Sequence, residues 1–194
     1  MENLELFAQP WPVNLLILVP FLAFIFWRKE GLDITKRVLL VAFLFGVGFG
    51  FVEAAVVVYL RAAMGLLPGY EGTLADIQNL SLNIYQQAQI LSELPQSLLY
   101  VELFREGATL LMLLSVAYLS AQRMRDRWAI FLYIFATWDI FYYIGLWLTV
   151  RWPSSLLTPD VLFLIPVPWY SQVWYPLLVS LLSILVVIFC SRKY

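Results

Sequence analysis

The sequence contains no histidine and a single cysteine, Cys190, among its 194 residues. Histidine and clustered cysteines are the ligands on which haem and typical zinc sites depend, so neither kind of site is expected. The usual proton shuttle at neutral pH is missing with the histidines. One cysteine also excludes a disulfide within the chain.

Charged residues are scarce as well. They make up 13% of the chain, against about 25% of a typical soluble domain, whereas 62% of the residues are hydrophobic. The net charge of −1 leaves no basic footprint for nucleic acid. Long apolar runs instead predict an integral membrane protein, with the lipid bilayer as its main partner and other membrane subunits as further candidates.

Five apolar runs approach the roughly 20 residues that a helix needs to cross a bilayer. They cover residues 11–27, 38–60, 98–120, 128–150 and 173–190. Pro20 predicts a kink in the first run. We therefore expect an all-α membrane protein, with five transmembrane helices in a single domain over residues 1–194.

Basic residues alternate between the connections of these runs. Residues 28–37 hold four basic side chains and residues 121–127 hold three, whereas the stretch between Arg61 and Leu98 is acidic and the one after Val150 holds only Arg151 and Asp160. The positive-inside rule then places the N-terminus outside and the C-terminus in the cytoplasm. An odd number of spans agrees with this orientation, in a multi-pass protein of the bacterial inner membrane.

Two of the connections have patterns of their own. Residues Thr73–Leu91 repeat apolar side chains at helical spacing, which predicts an amphipathic helix at the outer interface, either over a site or simply packed on the bundle. Residues Trp152–Trp169 hold an apolar stretch too short to cross, with prolines on both sides. Such a segment is expected to be interfacial or re-entrant.

Several charged side chains fall inside the predicted spans. Glu53 continues the stripe of Gly46 and Gly50, a GxxxG pattern that permits close helix approach, so its carboxylate is expected to face another helix. Three further groups lie in the next two spans: the pair Glu102 and Glu106 on one face, Arg105 between them, and Asp139 followed by Tyr142 and Tyr143. Intramembrane charges usually face the interior and find partners there.

The rise of ~1.5 Å per residue puts these acids at one depth, between ~17 and ~24 Å from the inner edge of the bilayer core. The sequence therefore predicts one outward-facing ligand-binding pocket, built from Glu53, Glu102, Arg105, Glu106, Asp139, Tyr142 and Tyr143. Arg61, Asp160 and Trp152 are secondary candidates. The four acids Glu53, Glu102, Glu106 and Asp139 are candidate ligands of a hard divalent cation, because such ions prefer oxygen.

Three functions remain open at this point. The pocket could bind or conduct a small cation, a proton or another polar ligand, as intramembrane acids often do. Its carboxylates could serve as acid and base in an enzyme acting on a lipid or isoprenoid. The charges could instead form a structural ion-pair network that joins helices in a structural or assembly subunit.

Three stretches carry a resemblance to a known family. FVEAAVVVYLR, REGATLLML and the run from WDIFYY to WPSSLLTPDVLFLIPVPW resemble a family of uncharacterised bacterial polytopic membrane proteins. The resemblance covers most of the chain. It implies a bacterial membrane protein and brings no activity with it.

Overall fold

The computed structural model describes residues 7–63 and 96–191. Its elements follow in this order: a 3₁₀ helix at Trp11–Ile17, α1 at Leu18–Trp27, α2 at Lys36–Ala63, α3 at Gln96–Ser120, α4 at Met124–Val150, β1 at Pro159–Phe163, β2 at Trp169–Gln172 and α5 at Trp174–Ser191. The predicted amphipathic helix Thr73–Leu91 lies outside the described residues and stays a prediction.

Four helices are long and apolar enough to cross a membrane, namely α2, α3, α4 and α5. They correspond to four of the five predicted spans, with ends that differ by a few residues. The apolar segment Trp11–Trp27 is shorter and changes from 3₁₀ to α geometry at Leu18. Pro20 follows this change of geometry by two residues, inside a helical segment that is continuous from Trp11 to Trp27.

The segment after α4 differs from the expected all-α fold. Strands β1 and β2 pair antiparallel, with Asp160 opposite Ser171 and a register shift between Val161 and Phe163. Aromatic and β-branched side chains suit a pleated strand, and the loop between the strands holds Pro166 and Pro168, which lack a ladder donor. This Pro- and Trp-rich segment is therefore a β-hairpin.

The hairpin is joined to the N-terminal segment, which it holds near the bundle. Gln9 and Tyr170 exchange two backbone hydrogen bonds, of 2.8 and 2.7 Å. The hydroxyl of Tyr175 on α5 also donates to the backbone carbonyl of Val13, at 2.7 Å. Residues of the 3₁₀ helix thus become one wall of the interior.

The bundle is built around α4, which packs against α2, α3 and α5. In the most apolar stretch of α4, 56% of the residues are buried, against 22–33% in the other spanning helices. Ile130, Ile134 and Leu146 are fully buried. Four polar side chains of α4 are buried as well, namely Asp126, Tyr133, Thr137 and Tyr143.

The predicted GxxxG stripe is where α2 meets α4. A Cβ atom on Gly50 would lie 2.6 Å from the carbonyl oxygen of Trp138 and 2.9 Å from the backbone nitrogen of Tyr142. A Cβ on Gly46 would lie 2.8 Å from the Cβ of Thr137. Only glycine allows so close an approach of the two backbones.

We expect Gly50→Ala to lower the thermal stability of the purified protein, because the added methyl group would overpack a rigid backbone at a cost of roughly 1–3 kcal/mol. Gly48→Ala is the matched control, since Gly48 faces open space on the same helix. Alanine should be neutral or slightly favourable there, by up to about 1 kcal/mol. Equal melting temperatures for the two variants in one detergent would contradict this packing.

Candidate functional site

A cavity of about 150 Å³ lies between helices α2 to α5 and the β-hairpin. All seven residues that the sequence assigned to one pocket line it, together with one of the secondary candidates. They are Glu53, Glu102, Arg105, Glu106, Asp139, Tyr142, Tyr143 and Asp160. Side chains from three helices and one strand thus meet in one space.

Arg105 joins two acids from different helices. Its guanidinium pairs with Glu53 of α2, and its Nε and Nη2 atoms both lie 2.8 Å from a carboxylate oxygen of Glu102, three residues earlier on α3. The hydroxyl of Thr109 lies 3.1 Å from the other oxygen of Glu53 and 3.0 Å from the carbonyl of Arg105. This network ties α2 to α3.

Glu106 connects α3 to the hairpin. Both of its carboxylate oxygens lie 2.9 Å from the backbone nitrogen of Leu164, whose N–H they share. Leu164 directly follows β1, so the carboxylate holds the hairpin loop over the cavity. Glu53, Glu102 and Glu106 are only 5–7% exposed, which makes their hydrogen bonds costly to lose.

Asp139 of α4 and Asp160 of β1 also line the cavity. The hydroxyl of Ser180 on α5 donates to Asp139 at 2.8 Å. The phenol of Tyr143 donates to one oxygen of Asp160 at 2.8 Å, and the N–H of Val161 to the other at 2.9 Å. Tyr143, which follows Asp139 by one turn of α4, therefore donates to Asp160 of the hairpin, and the hydroxyl donor to Asp139 comes from α5.

Acidic residues outnumber basic residues around the cavity. Among the described residues that line it, five are acidic and one, Arg105, is basic. Arg105 already contacts Glu53 and Glu102. The hydrogen bonds of Glu106 and Asp139 come from neutral donors, a backbone N–H and a hydroxyl. The lining therefore contains more acidic than basic groups.

Aromatic side chains form much of the remaining wall. They are Phe135, Trp138, Tyr142, Tyr143, Phe163, Trp169 and Tyr175. Trp138 lies at the centre of this group, with ring centroids 6.3 Å from Tyr142 and 6.2 Å from Phe163. Its buried indole N–H has no hydrogen-bond partner among the described residues. The cavity thus combines carboxylates with aromatic rings.

Two secondary candidates are placed elsewhere. The ring of Trp152 packs 6.1 Å from that of Tyr143, behind the cavity wall, where it supports Tyr143. Arg61 belongs to the last turn of α2, and its side chain lies outside the described residues. Within residues 7–63 and 96–191, no three acidic or cysteine side chains are grouped in a way that could hold a metal ion.

Sequence reasoning missed Ser180, Trp138 and the backbone of Leu164. A serine inside an apolar helix often bonds to its own backbone, as Ser183 does with the carbonyl of Val179 at 2.7 Å, so Ser180 gave no separate signal. Trp138 precedes Asp139 directly and could have been noted with it. No sequence pattern marks the N–H of Leu164, because its role depends on how the hairpin folds.

Searches against protein-family models, curated proteins and solved structures found no match to this chain.

We expect Arg105→Gln to destabilise the protein strongly, by about 3–5 kcal/mol, because it leaves the buried carboxylates of Glu53 and Glu102 without their basic partner. Glu53→Gln should cost less, because Arg105 keeps its contact with Glu102. The double variant should be more stable than the sum of the single effects predicts, since both charges of the pair are then gone. A double-mutant cycle of thermal unfolding measures this coupling. Additive effects would contradict the pairing.

We expect Glu106→Ala to release the hairpin, since it removes the acceptor of the Leu164 N–H. Hydrogen exchange in peptides covering residues 159–172 should become faster. Thr109→Val is the matched control, because Thr109 lies on the same wall of α3 and its hydrogen bonds go to Glu53 and Arg105. Unchanged exchange in Glu106→Ala would show that the carboxylate does not anchor the hairpin.

Proposed function

We propose that the protein binds a small organic cation in the cavity between α2 to α5 and the hairpin. The observation that carries the proposal is a lining of five carboxyl groups and one guanidinium beside an aromatic wall. A cation would balance the acids that Arg105 does not contact, chiefly Glu106 and Asp139. The low dielectric of the interior strengthens such an attraction.

The aromatic wall favours an ammonium group over a metal ion. The face of Trp or Tyr attracts an ammonium by about 0.5–2 kcal/mol, most when water is excluded. A hard divalent cation would instead need six or more oxygen ligands. Trp138 and Tyr142, whose ring centroids lie 6.3 Å apart in the wall of the cavity, suit the organic cation.

We propose that the cavity opens towards the outer side of the membrane. Glu102 lies near the start of α3, whereas the arginine-rich segment 123–127 follows the other end of that helix. With the basic segment in the cytoplasm, the acids fall in the outer half of the bilayer. This orientation makes Trp11–Trp27 the fifth crossing, with the N-terminus outside and the C-terminus inside.

A structural role is the second candidate, and the Arg105 network is the observation in its favour. Arg105 joins Glu53 of α2 to Glu102 of α3. Polar contacts of this kind hold helices together in membranes. This role accounts for three of the six charged groups and leaves Glu106, Asp139 and Asp160 to be explained by the hairpin and α5 contacts alone.

The test is thermal unfolding of the purified protein with choline and with 3,3-dimethylbutanol, which has the same shape and no charge. We expect choline to stabilise the protein, by about 2.7 kcal/mol at a hundred times its Kd, and the neutral alcohol not to stabilise it. Asp139→Asn should keep the Ser180 hydrogen bond and lose most of the choline effect.

Asp33→Asn is the matched control, because Asp33 lies outside the cavity in an exposed pair with Arg123, 3.8 Å apart. It should respond to choline as the unchanged protein does. Equal stabilisation by the neutral alcohol, or a full choline response in Asp139→Asn, would contradict the proposal. Absence of any choline response would leave the structural role as the better account.

A further inference from the structure

A second cavity, of about 240 Å³, adjoins the first and has an almost wholly apolar lining. Seven residues line it without lining the first cavity: Val19, Leu110, Phe131, Leu132, Ala136, Ile165 and Ser183. They come from α1, α3, α4, the hairpin loop and α5. The acidic side chains of the first cavity are not among its lining residues.

The two cavities share part of their walls. Leu16, Phe135, Phe163, Trp169, Val179 and Ser180 line both. Ser180 lies at the boundary between the acidic and the apolar cavity. Its hydroxyl donates to Asp139, and Ser183, one turn later on α5, lines the apolar cavity. The carboxyl groups of the first cavity and the apolar wall of the second are therefore separated by shared lining residues such as Ser180.

The apolar cavity reaches the lipid-facing surface beside α1. Val19 is 37% exposed and its neighbours Leu18 and Leu22 are about half exposed, at 47% and 50%. On the other side of the cavity, Leu110 belongs to α3. Because α1 packs mainly on α5 and α3 mainly on α4, the cavity lies between elements that are not closely packed together.

Its size and lining suit a hydrocarbon chain. An apolar cavity of about 150 Å³ inside a protein stays dry and accepts benzene. The second cavity is larger, at about 240 Å³, and equally poor in polar partners for water. A bilayer offers such a cavity alkyl chains at high local concentration.

We propose that the ligand is a cationic amphiphile. Its ammonium group lies among Asp139, Glu106 and the aromatic rings of the first cavity, and its hydrocarbon chain passes Ser180 into the second. One such molecule would occupy both cavities. An oxygen atom of its headgroup can accept a hydrogen bond from the indole N–H of Trp138. This inference rests on the proposed function, because the ammonium group must bind in the first cavity for the hydrocarbon chain to reach the second.

The test uses choline and its N-butyl, N-hexyl and N-octyl homologues, all below their micelle concentrations, with the protein in nanodiscs. Thermal unfolding gives the apparent affinity of each probe. We expect affinity to rise by up to about fourfold per added methylene until the second cavity is full. 1-Octanol, which carries the chain without the charge, should stabilise the protein far less than N-octyl choline.

Two variants narrow the second cavity without touching the first. Val19→Trp blocks it from the partly exposed side, and Ala136→Leu fills it from within. Both should bind choline normally and lose the gain with chain length. Leu22→Trp is the matched control, because Leu22 lies on α1 outside both cavities. Leu22→Trp should keep the full rise in affinity with chain length. Comparison with it also separates binding in the cavity from partition of the alkyl chains into lipid.

The outcomes separate the two proposals. If choline does not bind, the proposed function fails and this inference fails with it. If choline binds but chain length adds nothing, or adds as much in Val19→Trp and Ala136→Leu as in Leu22→Trp, only the inference is overturned. Equal stabilisation by 1-octanol and N-octyl choline would show a cavity for neutral chains and would also overturn it.

Discussion

The architecture depends on the constraint that charge inside a bilayer must be collected and paired. Arg105 meets this constraint by contacting Glu53 on α2 and Glu102 on its own helix. The close contact of α2 with α4 at Gly50 brings Glu53 to the side of the bundle where α3 can reach it. The position of the ion-pair network therefore sets the position of the cavity beside it.

The remaining acids give the cavity its other walls. Glu106 holds the hairpin through Leu164, Asp160 of that hairpin accepts from Tyr143, and Asp139 accepts from Ser180. Each of these carboxyl groups thus orders a neighbouring element and lines the same cavity. An interior with only structural needs would be served by apolar packing at lower cost. The surplus of acids is what favours a ligand.

The charged part of the site could be predicted from the sequence, because five charged residues interrupt apolar runs at positions for which the helical rise predicts one depth. They are Glu53, Glu102, Arg105, Glu106 and Asp139. The hairpin could not, since strand pairing between residues 159 and 172 depends on contacts with Gln9 and Glu106 that are distant in sequence. The apolar cavity could not be predicted from the sequence either. Ala136 and Val19 resemble every other small apolar residue of a membrane helix until the helices are packed.

Equilibrium binding of radiolabelled choline to the purified protein is the most direct test for an organic cation in this cavity. We predict saturable binding of one choline per chain, competed by N-octyl choline, unaffected by 3,3-dimethylbutanol and lost in Asp139→Asn. Binding that does not saturate, or that persists unchanged in Asp139→Asn, would show that the carboxylates around this cavity do not hold an organic cation.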